Sequence, residues 1–211
     1  MISIELSVIL VHREWMPVNL AESRIRILFP SLSNKIALYQ KVLEATRRVN
    51  PRGMVFGADC KSDCEGARVI GKEFFLKMEE LADYSHESMM EFLERNKISH
   101  VIPTRDRELE FWAKFNAKLT DNKIRVMVSN EDSLKLCHDK LKFYHLCKNF
   151  EISAILTAPS IDFIESERVV VKERFGSGSM NIGLNLTPIN AIAHSRKLDD
   201  PVFQPYIEGR E

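Results

Sequence analysis

The chain has 211 residues, of which 45% are hydrophobic and 28% charged, as is typical of a folded protein with one or two domains. Its 30 Lys and Arg residues balance its 30 Asp and Glu residues. The formal net charge of zero gives no electrostatic basis for a nucleic-acid or membrane partner, so neither is expected.

The N-terminal segment carries no targeting signal that we can identify. Residues 2–11 are mostly apolar, but the run is too short to span a bilayer and contains Glu5. It also lacks the basic region and the small-residue cleavage site of a signal peptide. We therefore expect a cytoplasmic protein, in which residues 1–23 form an extension ahead of the first domain.

The first predicted domain covers residues 24–129 and alternates strands with helices. We predict strands at 24–29, 54–58, 74–75, 100–102 and 125–128. We predict helices at 34–49, 63–69, 85–96 and 106–118, with Asn34 and Ser85 as N-caps of the first and third. This alternation predicts an α/β fold with an open parallel sheet, whose ligands gather beyond the carboxyl ends of the strands.

Polar residues follow several of these strand ends, at 31–35, Asp59 and 103–108. The first turn does not read G-x-G-x-x-G, which disfavours a dinucleotide site. Helix capping and turn formation are the favoured roles for Ser31, Ser33 and Asn34, whereas Asp59 is equally compatible with a structural and a functional role. A small-molecule site that uses residues 31–34 and Asp106 without ATP stays open as a minor alternative.

The second predicted domain covers residues 130–211 and follows a different pattern. We predict a short helix that is capped by residues 129–132 and ends near Cys137. Two further helices are predicted at 139–150 and 190–197. We predict strands at 168–173, 181–186 and 202–207. Helices combined with an antiparallel hairpin indicate an α+β lobe rather than another parallel repeat.

The strand at 168–173 ends in a pattern that suits a polyphosphate. Three valines, 169–171, predict a strand covered on both faces, and Lys172 then places one cation at its exit. The loop that follows contains Gly176, Ser177, Gly178 and Ser179, whose N–H and hydroxyl groups can donate to phosphate oxygens. The lysine precedes the glycines, which excludes a P-loop. The same loop is expected to be the hairpin turn between the flanking strands.

This order of motifs resembles the ATP-grasp superfamily, and most closely its branch similar to the large subunit of carbamoyl phosphate synthase. The resemblance rests on the strand that ends at Lys172, the Gly/Ser loop, the upstream pair Asp139-Lys140, and residues 204–211, which read Gln-Pro-Tyr-Ile-Glu-Gly-Arg-Glu. It runs from about Arg24 to Glu211. It implies a Rossmann-like pre-ATP-grasp domain followed by a partial ATP-grasp nucleotide-binding lobe.

The resemblance also implies roles for individual residues. Lys140 and Lys172 would bind phosphate, and the loop at 176–179 would close over it. The Gln204 side chain and the Pro205 carbonyl would bind the adenine amino group, and the Ile207 N–H would bind a ring nitrogen. Glu211 would accept hydrogen bonds from the ribose hydroxyls. Pro205 replaces the family's usual glutamate but keeps its carbonyl. Glu173 replaces a common proline.

The family reaction activates a carboxylate as an acyl phosphate, which an amine or a similar nucleophile attacks. It uses ATP and Mg²⁺, with metal ligands on strands that would follow Glu211, so no metal ligand and no catalytic residue is assigned here.

We expect the ATP-binding portion of such a ligase, with an unknown small carboxylate or amine substrate. The gene would be truncated or split, with a separate chain supplying the C-terminal half, or the sequence is a fragment of a longer enzyme. A non-catalytic nucleotide-binding or assembly subunit is the alternative.

Overall fold

A computed structural model describes residues 25–33, 35–176, 178 and 180–209. The predicted extension at 1–23, the Asn34 cap, and the predicted site residues Ser177, Ser179 and Glu211 lie outside the described residues.

The first half of the chain forms a five-stranded parallel sheet, as predicted. Its strands are β1 Arg26–Phe29, β2 Met54–Asp59, β3 Phe75–Lys77, β4 His100–Val101 and β5 Arg125–Val126. They are arranged in the order β3-β2-β1-β4-β5, and the central strand aligns Leu28 with Phe56 and with Val101. The connecting helices are α1 Ile36–Val49, α2 Glu65–Ile70, α3 His86–Arg95 and α4 Asp106–Asp121.

Both faces of this sheet are covered, because successive residues of β1 point to opposite sides. Leu28 contributes to a cluster with residues of α3 and α4, including the fully buried Met89, Trp112 and Phe115. On the other face, the neighbours Ile27 and Phe29 pack with residues of α1 and β2, including Tyr39 and Val55. The sheet is therefore the central layer between two helical layers.

Local sequence signals define several helix starts. The Ser85 hydroxyl caps α3 in a capping box with Ser88, which confirms the predicted cap. Asp106, in contrast, is the first residue of α4, and the cap position is occupied by Arg105, whose side chain makes no capping hydrogen bond. The carboxylate of Asp106 in the first turn still interacts favourably with the helix dipole.

The second half of the chain forms a smaller antiparallel sheet with helices. Its strands are β6 Val169–Glu173, β7 Gly183–Leu186 and β8 Pro201–Pro205, in the order β7-β6-β8. The helices are α5 Glu131–His138, α6 Lys140–Asn149 and α7 Pro188–Ser195, and the Asn130 side chain caps α5. This is the predicted α+β lobe, and its hairpin β6–β7 encloses the Gly/Ser loop. The division of the chain near residue 129 stays a prediction.

One face of the second sheet forms a hydrophobic core. Val169, Val171 and Phe203 pack there with Ala158 and Ala191, and all five are at most 5% exposed. Phe203 also pairs with Ala158 through two backbone hydrogen bonds of 2.8 and 2.9 Å. The opposite face of β6 and β8 carries Val170, Lys172, Val202 and Gln204, of which Val202 is fully buried and the other three are half-buried.

Within the described ranges, no helix combines the length and the apolar character needed to cross a membrane.

We expect the first sheet to depend strongly on its central strand. Leu28 is fully buried, so Leu28→Ala should lower the free energy of unfolding by about 3 kcal/mol, through lost burial and the cavity left behind. The measurement is urea denaturation followed by far-UV circular dichroism.

The matched control is Leu38→Ala, at a leucine that is 48% exposed on α1, which should stay within about 0.5 kcal/mol of wild type. Equal losses for the two variants would contradict the burial of β1.

Candidate functional site

The pairing of β6 with β8 places two predicted site residues on the same face of the second sheet. Val170 lies opposite Gln204 and Lys172 lies opposite Val202, so these four side chains share a face. This face lies opposite the core formed by Val169, Val171 and Phe203. Lys172 and Gln204 are diagonal neighbours across the two strands, which puts their Cβ atoms roughly 7 Å apart.

A buried ion pair fixes the start of α6 against the end of β6. The Asp139 carboxylate is 1% exposed and accepts hydrogen bonds from Arg174 Nε and Nη2, both at 2.7 Å. It also accepts the backbone N–H groups of Leu141 and Lys142 at 3.1 and 3.0 Å, and so caps α6. Arg174 reaches Asp200 as well, with Nη1 at 3.4 Å from Oδ2.

This pair strongly favours the charged form of Asp139. The hydrogen bonds from Arg174 are the main cause, helped by the two backbone N–H groups, and they lower the pKa of the carboxyl to about 2 although burial opposes them. The sequence patterns around Asp139 do not indicate Arg174 or Asp200 as its neighbours. An arginine two residues beyond Lys172 carries no local signal of a partner 35 positions away.

Lys140 is placed directly against the Gly/Ser loop. Its Nζ atom donates to the Gly176 carbonyl at 2.9 Å and to the Arg174 carbonyl at 3.2 Å, and its backbone N–H donates to the same Arg174 carbonyl at 3.3 Å. The structure thus brings Lys140 and the loop together. In the arrangement described, the ammonium group binds the loop backbone.

The ammonium groups of Lys140 and Lys172 influence each other. Burial lowers the pKa of Lys172, and the positive charge of Lys140 lowers it further. Burial also lowers the pKa of Lys140, opposed by the carboxylates of Glu173, Asp106 and Asp139. Among the described residues, no group accepts a hydrogen bond from the Lys172 ammonium. An anion placed between the two lysines would be favoured, because it would relieve their repulsion.

The loop glycines adopt backbone conformations that other residues rarely reach. Gly176 has φ of 151° and Gly178 has φ of 71°. Among the described atoms, a Cβ atom built on Gly178 would meet nothing within 4 Å. The positive φ values explain why glycine suits both positions.

The end of β8 presents several hydrogen-bonding groups at one edge. The Gln204 Nε2 atom donates to the buried Thr157 hydroxyl at 2.7 Å, which orients the amide and leaves its carbonyl oxygen available. The Tyr206 N–H points back to β6, where it donates to the Arg168 carbonyl at 2.8 Å. Backbone groups alternate along a strand, so the Pro205 carbonyl points to the outer edge instead, whereas Ile207 follows the end of the strand.

A metal site cannot be assigned from the described part of the chain, where no group of three or more His, Cys, Asp or Glu residues is arranged to hold an ion.

Solved structures with a similar fold include carboxylases and ligases. The biotin carboxylase of Campylobacter jejuni, in complex with β,γ-ATP, has a TM-score of 0.60 at 12% identity and matches 88% of this chain and 46% of its own. The biotin carboxylase domain of the Hydrogenobacter thermophilus 2-oxoglutarate carboxylase, in complex with MgADP, ADP and bicarbonate, scores 0.56 at 13% identity, with coverage of 88% and 45%.

The D-alanine–D-alanine ligase of Bacillus anthracis, complexed with ATP, scores 0.51 at 13% identity and matches 88% of this chain and 60% of its own. The chain therefore has a fold similar to the matched parts of these enzymes: a five-stranded parallel sheet followed by a small antiparallel sheet. The chain spans about half the length of the two carboxylase structures. No family model matches the sequence, and no curated protein matches it either.

We expect the Asp139–Arg174 pair to stabilise the protein above acidic pH. The folded pKa of Asp139 is depressed from 3.8 to about 2, so its contribution is complete above pH 3.8 and is lost as the pH falls towards 2. Asp139→Asn should lower the free energy of unfolding by about 2 kcal/mol at pH 6, and the difference from wild type should shrink between pH 4 and about pH 2.

Urea titrations at several pH values measure this difference. Asp83→Asn, at an exposed carboxyl, serves as the control and should change the stability by less than about 0.5 kcal/mol. A difference between Asp139→Asn and wild type that is independent of pH would contradict the assignment of the ion pair.

Proposed function

We propose that the chain is the ATP-binding portion of an ATP-grasp ligase, from the branch similar to the carbamoyl phosphate synthase large subunit. The observation that carries this proposal is that Lys140 contacts Gly176 and lies near enough to Lys172 to lower its pKa, while Lys172 shares a sheet face with Gln204. The ATP-grasp type of fold supports it, because solved proteins with this fold contain ATP or ADP.

In this proposal the triphosphate lies against the two lysines. Lys172 has an ammonium group without a hydrogen-bond acceptor among the described residues, and it would bind a phosphate oxygen directly. Lys140 would exchange the Gly176 carbonyl for a second phosphate oxygen, which releases the loop to close over the ligand together with Ser177 and Ser179. The two cations supply charge from two different elements, α6 and β6.

The base and the sugar would lie along the edge of β8. The free carbonyl oxygen of the Gln204 amide and the Pro205 carbonyl would accept from the adenine amino group, and the Ile207 N–H would donate to a ring nitrogen. Glu211 would accept hydrogen bonds from the ribose hydroxyls. The hydrogen bond from Gln204 to Thr157 supports this arrangement because it pre-orients the amide.

The reaction proposed for the whole protein is activation of a small carboxylate as an acyl phosphate, followed by attack of an amine or a similar nucleophile. Magnesium would neutralise charge on the transferring phosphoryl group. Its ligands and the remaining catalytic groups would come from sequence beyond the described residues or from a partner chain. This chain contributes the binding and orientation of the nucleotide.

Removal of the Lys172 ammonium should weaken ATP binding. A charge-assisted hydrogen bond contributes about 1.5–3 kcal/mol, so Lys172→Ala should raise the Kd for ATP at least about tenfold in isothermal titration calorimetry. Lys148→Ala, at an exposed lysine on α6, is the matched control and should leave the Kd unchanged. Equal affinities of Lys172→Ala and wild type would remove the central assignment.

Lys140 should restrain the loop when no nucleotide is bound. Lys140→Ala removes the hydrogen bonds to the Arg174 and Gly176 carbonyls, so amide hydrogen exchange at residues 174–180 should accelerate about fivefold or more. In the same variant, the amide exchange rates of β1 and β2 should match those of wild type. The control variant Lys148→Ala should match wild type at residues 174–180 as well. Unchanged exchange at 174–180 would show that Lys140 does not hold this segment.

A further inference from the structure

A short extended segment runs beside the outer edge of β8. Ala158 and Phe203 form an antiparallel bridge there, and their side chains both lie in the hydrophobic core of the second sheet. Because side chains alternate along extended backbone, the adjacent pair, Thr157 and Gln204, stands on the opposite face, which also carries Lys172. The bridge therefore fixes Thr157 beside a residue that we propose to contact adenine.

Two hydrogen bonds connect the Gln204 amide to the backbone of this segment. Gln204 Nε2 donates to the Thr157 hydroxyl oxygen at 2.7 Å, and the same hydroxyl donates to the Ile155 carbonyl at 3.1 Å. Thr157 is 4% exposed, so its hydroxyl depends on these partners rather than on bulk water. The donors thus run in one direction, from the amide to the hydroxyl and from the hydroxyl to the carbonyl.

This direction determines which end of the Gln204 amide faces Thr157. A hydroxyl has one hydrogen, and Thr157 gives it to Ile155, so the hydroxyl oxygen can only accept from Gln204. If the amide were turned over, its Oε1 atom would face another acceptor, or the hydroxyl would have to abandon the Ile155 carbonyl. In the observed orientation both hydrogen bonds are made. Gln204 Oε1 then faces away from Thr157, and no group among the described residues donates to it.

An acceptor in a fixed position distinguishes between two classes of purine. Adenine carries an amino group at its 6-position, which donates, whereas guanine and hypoxanthine carry a carbonyl there, which accepts. A site that offers an acceptor leaves polar groups unpaired when a carbonyl enters, and so it rejects the second class. A glutamine amide has both polarities, because one end donates and the other accepts. Gln204 alone therefore does not determine which class binds.

We propose that Thr157 is the positioning residue that makes the nucleotide site selective for 6-aminopurines over 6-oxopurines. It does so through the orientation that it imposes on the Gln204 amide, without touching the nucleotide itself. This inference rests on the proposed function and deepens it, since ATP binding alone requires no particular discrimination between purines. The selectivity is built into the protein before any ligand arrives, because the hydrogen bonds that fix the amide exist without one.

The test compares three nucleotides by isothermal titration calorimetry on the full chain. ITP replaces the 6-amino group of ATP by a carbonyl, and purine riboside 5′-triphosphate has neither group. The wild-type protein should bind ATP at least about tenfold more tightly than purine riboside 5′-triphosphate, and it should bind ITP more weakly still. Equal affinities for ATP and ITP would overturn the inference while leaving the proposed ATP site in place.

The decisive variant is Thr157→Val, which keeps the shape of the side chain and removes the hydroxyl. The Gln204 amide is then free to turn over and to donate from Nε2 to the carbonyl of ITP. The ratio of the Kd for ITP to the Kd for ATP should therefore fall at least about tenfold. Thr157→Ser keeps a hydroxyl and should keep the wild-type ratio. A general loosening of the site would weaken all nucleotides alike, so an unchanged ratio in Thr157→Val would contradict the role of Thr157.

A readout without nucleotide supports the same variant. Hydrogen exchange of the Gln204 side-chain amide, assigned by its loss in Gln204→Glu, should be at least about fivefold faster in Thr157→Val than in wild type. Equal rates would show that Thr157 does not hold the amide. If Thr157→Val fails to fold, as judged by circular dichroism, Thr157→Ala replaces it with the same expected changes.

The phosphate contacts provide a control that separates this inference from the proposed function. ATP and ITP share the same triphosphate, so Lys172→Ala should weaken both by the same factor and leave their ratio unchanged. If wild type binds none of the three nucleotides, the proposed function fails and the selectivity fails with it. If ATP binds and the ratio does not depend on Thr157, only the selectivity inference fails.

Discussion

The candidate nucleotide site depends on the pairing of one buried carboxylate with one arginine. Placing Asp139 in the interior costs desolvation energy, which only good geometry and additional hydrogen bonds can offset. Asp139 meets this condition, because it accepts two hydrogen bonds from Arg174 and two from the first turn of α6. The pair fixes α6 against the end of β6. Together with the hydrogen bonds from Lys140 to the Arg174 carbonyl, it holds Lys140 within reach of the Gly176 carbonyl.

The site is therefore assembled from two elements with different physical roles. The register of β6 against β8 determines the position of Lys172. The buried side chains of Val169 and Val171 specify this register, because a slip of one residue would turn Lys172 into the hydrophobic core. Helix α6 adds Lys140 through the ion pair. The result is two ammonium groups near each other, each with its pKa lowered mainly by burial. Such an arrangement is least favourable when empty, and an anion would relieve it.

The sequence was sufficient to predict what depends on local patterns. The alternation of strands and helices predicted the parallel sheet, and Ser85 with Ser88 makes the capping box at the start of α3. The limits of short strands differ from the prediction: β8 runs over Pro201–Pro205 rather than 202–207, although the Tyr206 N–H still donates to the Arg168 carbonyl. Partners far apart in sequence could not be predicted. Arg174 and Asp139 are 35 residues apart in the sequence, and Ser31 and Glu108 are 77 residues apart. No periodic pattern in the sequence indicates either hydrogen bond.

The start of α4 presents two carboxyl groups to different surroundings. The charge of Asp106 opposes the lowering of the Lys140 pKa by burial, whereas Glu108, two residues later, is buried and accepts a hydrogen bond from the Ser31 hydroxyl. Residues two apart in a helix are separated by about 200° around its axis, so one turn of helix can present carboxyl groups to two different surroundings. Asp106 is exposed and Glu108 is buried, which accounts for the large pKa shift of Glu108 alone.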